Sequence, residues 1–242
     1  MRLLRTIALA GSLAAFSTHP SLAQGAARGP RVAPAPPTPS QRRALLLAPT
    51  RSYWSARAPD TVTADIETSR GTITIEMPRE WAPRGVDHFY NLARAGYFDD
   101  SRFYRVVNGF IAQFGIAGDP AIARLWSQRT LRPDLVRTPN ARGTISYAQF
   151  KPTDRTTNLF INLSDNRSLD SLGFAPIGRV VLGMEVADSL YARYGELTMA
   201  GPPLDNAKRL YRESNKYMDA EYPRLDRILR VTIRGDSGGR RE

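Results

Sequence analysis

The fold is decided by one stretch of eleven residues, Phe103-Tyr104-Arg105-Val106-Val107-Asn108-Gly109-Phe110-Ile111-Ala112-Gln113. Asn108-Gly109 readily adopts positive φ, so the stretch predicts two short strands joined by a tight turn. Residues two apart in a strand point to the same face of the sheet. We therefore expect Phe103, Arg105 and Val107 to lie together on one face of the first strand.

The same hairpin combines a basic group with apolar surface. Arg105 supplies hydrogen-bond donors, Phe110 and Ile111 supply apolar surface, and Gln113 supplies an amide that both donates and accepts. This combination suits an apolar ligand with one carbonyl to hold, such as a peptide containing proline. An ordinary hairpin with a surface arginine would give the same pattern, and these residues alone leave both interpretations open.

Composition limits the possible classes of protein. The 242 residues are 42% hydrophobic and carry a formal charge of +11, which fits one or two globular domains. The basic residues are almost all arginines and are spread along the chain, whereas nucleic-acid binders usually cluster them. We therefore expect no nucleic-acid partner. The chain has no cysteine, which excludes disulfides, thiolate catalysis and cysteine metal sites.

The N-terminus has the pattern of an export signal. Arg2 and Arg5 precede an apolar run over residues 7–16, and Ser21-Leu22-Ala23 places small residues at a cleavage position. The apolar run is too short to span a bilayer. We predict a signal peptide over residues 1–23, cleavage after Ala23, a periplasmic or secreted protein, and no integral membrane segment.

The next segment, residues 24–59, is predicted to be a Pro/Ala-rich linker and N-terminal extension. Within it, Ser40 is expected to cap a short helix that ends before Pro49, and Tyr53 and Trp54 are expected to pack on the domain surface. The folded domain is predicted to span residues 60–236, followed by a disordered tail over residues 237–242.

Strands dominate the pattern of the domain. The predicted strands are Thr61–Thr68, Thr72–Met77, the central hairpin, Gly143–Ala148, Asn158–Leu163, Gly173–Val180 and Ile228–Ile233. The predicted helices run from Pro83 to Gly96, over Ala121–Trp126, over Glu185–Tyr194 and over Asp205–Tyr217. Strands in the majority, with helices at either side, predict a closed antiparallel barrel capped by helices.

Four blocks occur in a fixed order: Phe103-Tyr104-Arg105-Val106 with Gly109-Phe110-Ile111-Ala112-Gln113; Gly143-Thr144-Ile145-Ser146-Tyr147-Ala148; Thr157-Asn158-Leu159-Phe160-Ile161; and Leu169-Asp170 with Phe174-Ala175-Pro176-Ile177-Gly178-Arg179-Val180. They resemble the motifs of the cyclophilin family of peptidyl-prolyl cis-trans isomerases. The resemblance covers residues 60–194 and the final strand. It implies a mainly β fold: a closed antiparallel barrel of about eight strands, capped by two helices, with a C-terminal helical insertion before the last strand.

The resemblance also implies a site for peptides that contain proline. Arg105 matches the catalytic guanidinium of the family. The proline pocket would be walled by Phe110, Ile111, Phe160 and Leu169, and the peptide groove would be lined by Gln113, Ala148, Gln149 and Asn158. It implies a reaction without metal or cofactor. We expect a monomer that acts on flexible proline segments of client proteins.

Several positions depart from the family pattern. Tyr104 and Phe174 replace histidines, and Ser168 stands where many members have tryptophan; these changes are expected to alter the rim of the site. Phe114 replaces a glycine and is expected to change the loop after Gln113. The alternative function is a binding or chaperone module of the same fold with little isomerase activity.

Two further expectations concern parts outside those motifs. His88, the only histidine left after export, has no second histidine or nucleophile beside it and is expected to have a packing role. The segment Asp205–Tyr222 has no counterpart in minimal cyclophilins. Its polar composition predicts a surface insertion that can be shortened without unfolding the barrel.

Overall fold

The computed structural model of the protein describes residues 38–49, 52–151, 153–196 and 203–235, with only the backbone for residues 203–205. The predicted signal peptide, residues 24–37, 50 and 51 of the predicted linker and extension, and the predicted tail lie outside the described residues. No helix in the described ranges has the length and apolar character needed to span a bilayer.

The described residues form an eight-stranded antiparallel sheet that confirms the mainly β prediction. Its strands are β1 (Thr61–Thr68), β2 (Gly71–Pro78), β3 (Arg105–Val107), β4 (Ile111–Phe114), β5 (Thr144–Tyr147), β6 (Leu159–Asn162), β7 (Pro176–Leu182) and β8 (Ile228–Ile233). The strand order is β3-β4-β6-β5-β7-β2-β1-β8. Just before the two edge strands, a bridge between Arg102 and Arg227 joins the ends of the curled sheet.

The helices are α1 (Pro39–Leu46), α2 (Pro83–Arg94), α3 (Pro120–Ser127), α4 (Ser168–Ser171), α5 (Met184–Asp188), α6 (Pro203–Glu213) and α7 (Asn215–Glu221). Helix α2 starts at Pro83, as predicted, and buries Val86, Phe89 and Leu92 against the sheet. These positions recur at helical spacing, so one face of α2 covers the core.

The N-terminal extension packs on the domain. Thr38, rather than the predicted Ser40, caps α1, because Thr38 and Gln41 form a reciprocal capping box. The carbonyl of Leu46 accepts a hydrogen bond from the indole of Trp126 at 2.8 Å. Trp54 lies edge-on to Trp126, with ring centroids 4.6 Å apart. The expected packing of Tyr53 and Trp54 on the domain surface is therefore confirmed.

Phe103 does not share a face with Arg105 as predicted. The regular strand begins only at Arg105, so the two-residue alternation does not extend back to Phe103. Its side chain is fully buried in the core and packs edge-on to Phe114 at 5.3 Å.

The predicted helix over Glu185–Tyr194 is too long, because α5 ends at Asp188. Beyond it, the backbone N–H of Tyr191 donates to the carboxylate of Asp226 at 2.7 Å. This side-chain acceptor replaces the helical carbonyl. The ring of Tyr191 then packs edge-on to that of Tyr194, with centroids 5.0 Å apart.

The predicted helix over Asp205–Tyr217 is two helices, α6 and α7, separated at Ser214. This residue has φ +50°, and its hydroxyl donates to the carbonyl of Ala117. The insertion is not a surface feature, because Leu210, Tyr217 and Met218 are buried in the core. The expectation of a surface insertion is therefore wrong, and the expectation that it can be shortened stays a prediction.

His88 has the expected packing role. Its ring lies 6.0 Å from that of Trp126 and 5.9 Å from that of Tyr147. Its Nε2 is buried without a hydrogen-bond partner among the described residues. Burial lowers the pKa of His88 from 6.5 to about 4, although a hydrogen bond to the backbone of Thr156 acts in the opposite direction.

We predict that His88 makes folding sensitive to acid. The unfolded chain binds a proton at this residue near pH 6.5, whereas the folded chain resists protonation down to about pH 4. Stability is therefore fully present above pH 6.5 and falls towards pH 4, by up to about 3 kcal/mol. Denaturant unfolding at pH 7, 5.5 and 4 should show this loss in the wild type. The His88→Phe variant should lack that component, and parallel pH profiles would contradict the prediction.

Candidate functional site

All nine predicted site residues line one cavity of about 430 Å³. They are Arg105, Phe110, Ile111, Gln113, Ala148, Gln149, Asn158, Phe160 and Leu169. They come from β3, β4, β6, α4 and the loops that adjoin β4, β5 and β6. The sheet therefore gathers residues that lie up to 64 positions apart in the sequence (169 − 105 = 64).

Strand register places the charged, amide and aromatic groups in one row. Arg105 on β3 is the register partner of Gln113 on β4, and Gln113 is the partner of Phe160 on β6. Directly paired residues of adjacent strands point to the same face. The guanidinium, the amide and the ring therefore lie side by side along the floor of the cavity.

The turn between β3 and β4 fixes Phe110 at the edge of this row. Gly109 has φ +70°, which completes the turn that Asn108-Gly109 predicted. The carbonyl of Phe110 accepts a hydrogen bond from the side-chain amide of Asn166 at 2.9 Å. The guanidinium carbon of Arg105 lies 5.6 Å from the centre of the Phe110 ring, so the cation and the apolar ring border the same space.

Helix α4, which carries Leu169, is held by partly buried polar contacts. One carboxylate oxygen of Asp170 accepts from both the backbone N–H and the side-chain amide of Asn140. The same amide also donates to the carbonyl of Phe174 at 2.7 Å. Phe174 packs edge-on to Phe160 at 5.8 Å. These contacts fix the apolar end of the cavity.

A chain of hydrogen bonds runs from Arg105 across the site. Arg105 Nη1 donates to Gln113 Oε1 at 3.1 Å, and Gln113 Nε2 donates to the hydroxyl of Tyr104 at 2.6 Å. The Tyr104 hydroxyl donates to Asn158 Oδ1 at 3.0 Å, and Asn158 Nδ2 donates to the hydroxyl of Tyr211 at 2.5 Å. An amide offers two hydrogens and two lone pairs, so Gln113 keeps one of each for a ligand.

Tyr104 lies at the centre of the site, whereas the sequence predicted that it would alter only the rim. It is buried, and burial raises its pKa well above the usual value. Its hydroxyl therefore stays protonated at neutral pH and keeps orienting both Gln113 and Asn158. A histidine-to-tyrosine difference alone carries no signal for this role, because the role depends on Asn158, which lies 54 positions away in the sequence.

Phe114 also behaves differently from the prediction. Its side chain enters the core and packs against Phe98 and Phe103, so it does not disturb the loop after Gln113. The backbone is constrained at Gly115 instead, where φ is +111°. A Cβ at this position would lie 2.2 Å from the carbonyl oxygen of Thr157. Only glycine fits there.

The side chain of Gln149 is hydrogen-bonded to two other segments beside the cavity. Its Nε2 donates to the carbonyl of Leu172 at 2.9 Å, and its Oε1 accepts from Arg155 Nε at 2.5 Å. Arg155 also donates to the carbonyl of Gly173. Each end of the Gln149 amide therefore has one partner within the protein, which holds the residue in place beside the groove.

The insertion contributes a wall of the cavity that was not predicted from the sequence. Ala207, Leu210 and Tyr211 of α6 line the cavity, together with Ile116 and Ser127. The spacing of the three α6 residues, i, i+3 and i+4, marks one helix face. That signal is present in the sequence, but nothing local indicates which surface the face covers.

Arg105 has a second partner that was not predicted. Its Nη2 donates to Glu196 Oε1 at 2.6 Å, and its Nε is buried without a partner among the described residues. Within the described ranges, no group of three or more His, Asp or Glu side chains is arranged to hold a metal ion. The arrangement offers one oriented cation beside an apolar cavity, with an amide at hydrogen-bond distance.

Comparisons with known proteins identify the family of the chain. The family model described as cyclophilin type peptidyl-prolyl cis-trans isomerase/CLD matches residues 63–208. Peptidyl-prolyl cis-trans isomerase A of Dickeya dadantii is 33% identical over 135 residues, which are 52% of this chain and 68% of the relative. Peptidyl-prolyl cis-trans isomerase B of Escherichia coli is 30% identical over 132 residues, 51% of this chain and 80% of the relative.

The fold is similar to that of a crystal structure of a cyclophilin type peptidyl-prolyl cis-trans isomerase from Cryptosporidium parvum, with a TM-score of 0.54 and 19% identity. The alignment covers 73% of this chain and 99% of that structure. The shared part contains nearly all of the other protein, so the additional residues of this chain lie outside the common fold.

Proposed function

We propose, since this chain belongs to the cyclophilin-type peptidyl-prolyl cis-trans isomerase family, that it catalyses rotation about X-Pro bonds of client proteins in the cell envelope. The observation that carries the proposal is the position of Arg105 beside an apolar cavity lined by Phe110, Ile111 and Phe160. A cation next to an apolar pocket is the arrangement that this reaction needs.

Rotation about an X-Pro bond must break amide resonance, against a barrier of roughly 18–20 kcal/mol. No bond to a nucleophile has to form. As the amide twists, the proline nitrogen becomes pyramidal, and its lone pair, shared with the carbonyl in the planar amide, becomes localised on the nitrogen. A donor that binds this lone pair favours the twisted state over either planar state, which is differential binding of the transition state. In this proposal, Arg105 is that donor.

The remaining residues hold the peptide. Phe110, Ile111, Phe160 and Leu169 grip the proline ring while the other side of the amide turns. Gln113 uses its free hydrogen and lone pair on the peptide backbone beside Arg105. Ala148, Gln149 and Asn158 contact the extended peptide along the groove. These assignments are supported by the common cavity and by the family of the chain.

The required acceleration is within reach of such a site. Uncatalysed exchange takes tens to hundreds of seconds, so a turnover of about 10²–10³ per second needs a barrier lower by about 6–7 kcal/mol. A charged donor in a partly desolvated site supplies roughly 3–4 kcal/mol. Holding the proline ring in an orientation that suits the twisted amide supplies the rest.

The test is two-dimensional exchange NMR on an Ala-Pro peptide with the purified mature protein. We expect cross-peaks between the cis and trans forms that the peptide alone does not show on this timescale. A binding or chaperone module of the same fold would shift the peptide signals without exchange. Exchange no faster than that of the free peptide would exclude the isomerase function.

We further propose that the chain is exported and acts as a monomer, without a nucleic-acid partner or a cofactor, on flexible proline segments of envelope proteins. The isomerase domain is proposed to span residues 60–236, with the extension of residues 24–59 before it. The basis for export is the pattern of Arg2, Arg5 and Ser21-Leu22-Ala23.

Cleavage after Ala23 is the corresponding prediction. N-terminal sequencing of the protein from the envelope fraction should begin at Gln24, because Ala23 is the last small residue at the cleavage position. Recovery of a protein with an intact Met1 from the cytoplasm would exclude export. A recombinant protein that starts at Gln24 is the matched control for the mass of the mature chain.

A further inference from the structure

The segment that follows α5 delivers a carboxylate to the cation of the site. Glu196 Oε1 lies 2.6 Å from Arg105 Nη2. Two residues earlier, the ring of Tyr194 packs edge-on to those of Tyr191 and Tyr222, with centroids 5.0 and 5.2 Å apart. These aromatic contacts anchor the chain just before Glu196, so the position of the carboxylate is built by packing.

The two partners differ in exposure. The Arg105 side chain is 16% exposed, whereas that of Glu196 is 43% exposed. The carboxylate therefore faces solvent on one side and the guanidinium on the other. A peptide bound at Arg105 has to share this cation with Glu196, since both seek the positive charge of the same guanidinium.

The charges around the cavity are uneven. The charged residues that line it in the described ranges are Arg105 and Asp154. The guanidinium of Arg105 is already paired with Glu196, so an acidic client group near the proline lies close to the carboxylates of Glu196 and Asp154. A basic client group meets the exposed side of Glu196 and gives this carboxylate a second partner, while the peptide takes up donors of Arg105.

We propose that Glu196 determines specificity by favouring clients with Lys or Arg within reach of the X-Pro bond. The inference rests on the proposed isomerase function of the same site. The preference for basic clients is opposite to the effect of the overall charge, because a chain of formal charge +11 attracts acidic peptides over long distances. A preference for basic peptides would therefore have a local cause.

The experiment uses three peptides of sequence Gly-Xaa-Ala-Pro-Xaa-Gly, with Lys, Gln or Glu at both Xaa positions. Exchange NMR gives kcat/KM for each peptide at low ionic strength and at about 0.5 M salt. The variants are the wild type, Glu196→Gln and Glu185→Gln. Glu185 is an exposed residue of α5, so its substitution makes the same charge change elsewhere.

For the wild type and for Glu185→Gln, we expect kcat/KM for the Lys peptide to be about 2–5-fold higher than for the Gln peptide. This ratio corresponds to the energy of a partly exposed ion pair. The Glu peptide should be the poorest. In Glu196→Gln the Lys preference should disappear, and turnover of the Gln peptide should rise, because Arg105 is no longer shared. Added salt should reduce the preference in the wild type.

Two results would overturn the inference and leave the isomerase function intact: a Lys preference that persists in Glu196→Gln, or a wild type that accelerates all three peptides equally. A wild type that accelerates none of the peptides would overturn both the inference and the proposed function. Thermal melts of the three proteins check that each is folded.

Discussion

Replacing Arg105 with alanine should lower kcat/KM for an Ala-Pro peptide by about 10²–10³-fold, the usual effect of removing one transition-state donor. In the proposed mechanism, Arg105 contacts the peptide most strongly when the amide is twisted. The change should leave the fold intact. Glu196, the partner that loses its cation, is 43% exposed and can be hydrated by solvent.

Two further variants separate the role of the charge from that of the apolar pocket. Arg105→Lys should restore little activity, because a point-charge ammonium does not reproduce the planar guanidinium. Phe110→Ala should weaken both peptide binding and turnover, because its ring borders the cavity. Arg105→Ala should change the affinity for a ground-state proline peptide much less than it changes kcat/KM.

Chemical-shift titration and exchange NMR on one sample measure the affinity and the rate together. An Arg105→Ala protein with unchanged exchange would show that the guanidinium does not stabilise the twisted amide. An equal loss of affinity and rate would show that it acts in ground-state binding. A loss of Tm in Arg105→Ala beyond that of Phe110→Ala would assign the effect to folding instead.

The central hairpin was predictable because its determinants are local. Asn108-Gly109 determines the turn, and the geometry of the turn determines which residues of β3 and β4 are paired. Once that register is set, Arg105 and Gln113 must face the same side. The nine site residues could be placed on one cavity in the same way, since the family motifs supply the pairing of the more distant strands.

What the sequence could not supply depends on contacts between distant segments. Tyr104 takes its role at the centre of the site from Asn158, which lies 54 positions away. Glu196 reaches Arg105 across 91 positions of sequence, and no periodic pattern marks it. Such pairs become visible only when the chain path between strands is known.

The C-terminal insertion shows the limit of composition as a guide. Its mean composition is polar although a few of its residues are buried, because a short helix needs only one apolar face to pack against a core. Asp219 of α7 binds Arg102 through two hydrogen bonds of 2.8 and 2.9 Å, and the Arg102 side chain is almost fully buried. Arg102 also forms the backbone bridge to Arg227 that joins the ends of the sheet. The insertion therefore supports the closure of the fold.

Met218→Ala should accordingly destabilise the protein by about 2–5 kcal/mol, the usual cost of truncating a buried methionine. Met218 is 0% exposed and belongs to the main hydrophobic core. For a domain of this size the loss corresponds to a decrease in Tm of roughly 5–15 °C. Lys216→Ala, at an exposed position of the same helix, should stay within about 0.5 kcal/mol of the wild type. Thermal melts of the purified mature proteins measure both.

Deletion of residues 203–221 is the larger version of the same test. It would leave the buried guanidinium of Arg102 without Asp219 and uncover the part of the core that Leu210, Tyr217 and Met218 close. Arg102 keeps Asp100 as a carboxylate partner, so most of the expected loss comes from the uncovered apolar core, and the lost ion pair with Asp219 adds to it. We therefore expect the deletion to abolish cooperative melting, as removal of β8 should, because loss of that strand opens a new sheet edge. A deletion variant that melts like the wild type, together with equal melts of Met218→Ala and Lys216→Ala, would show that the barrel is stable without the insertion.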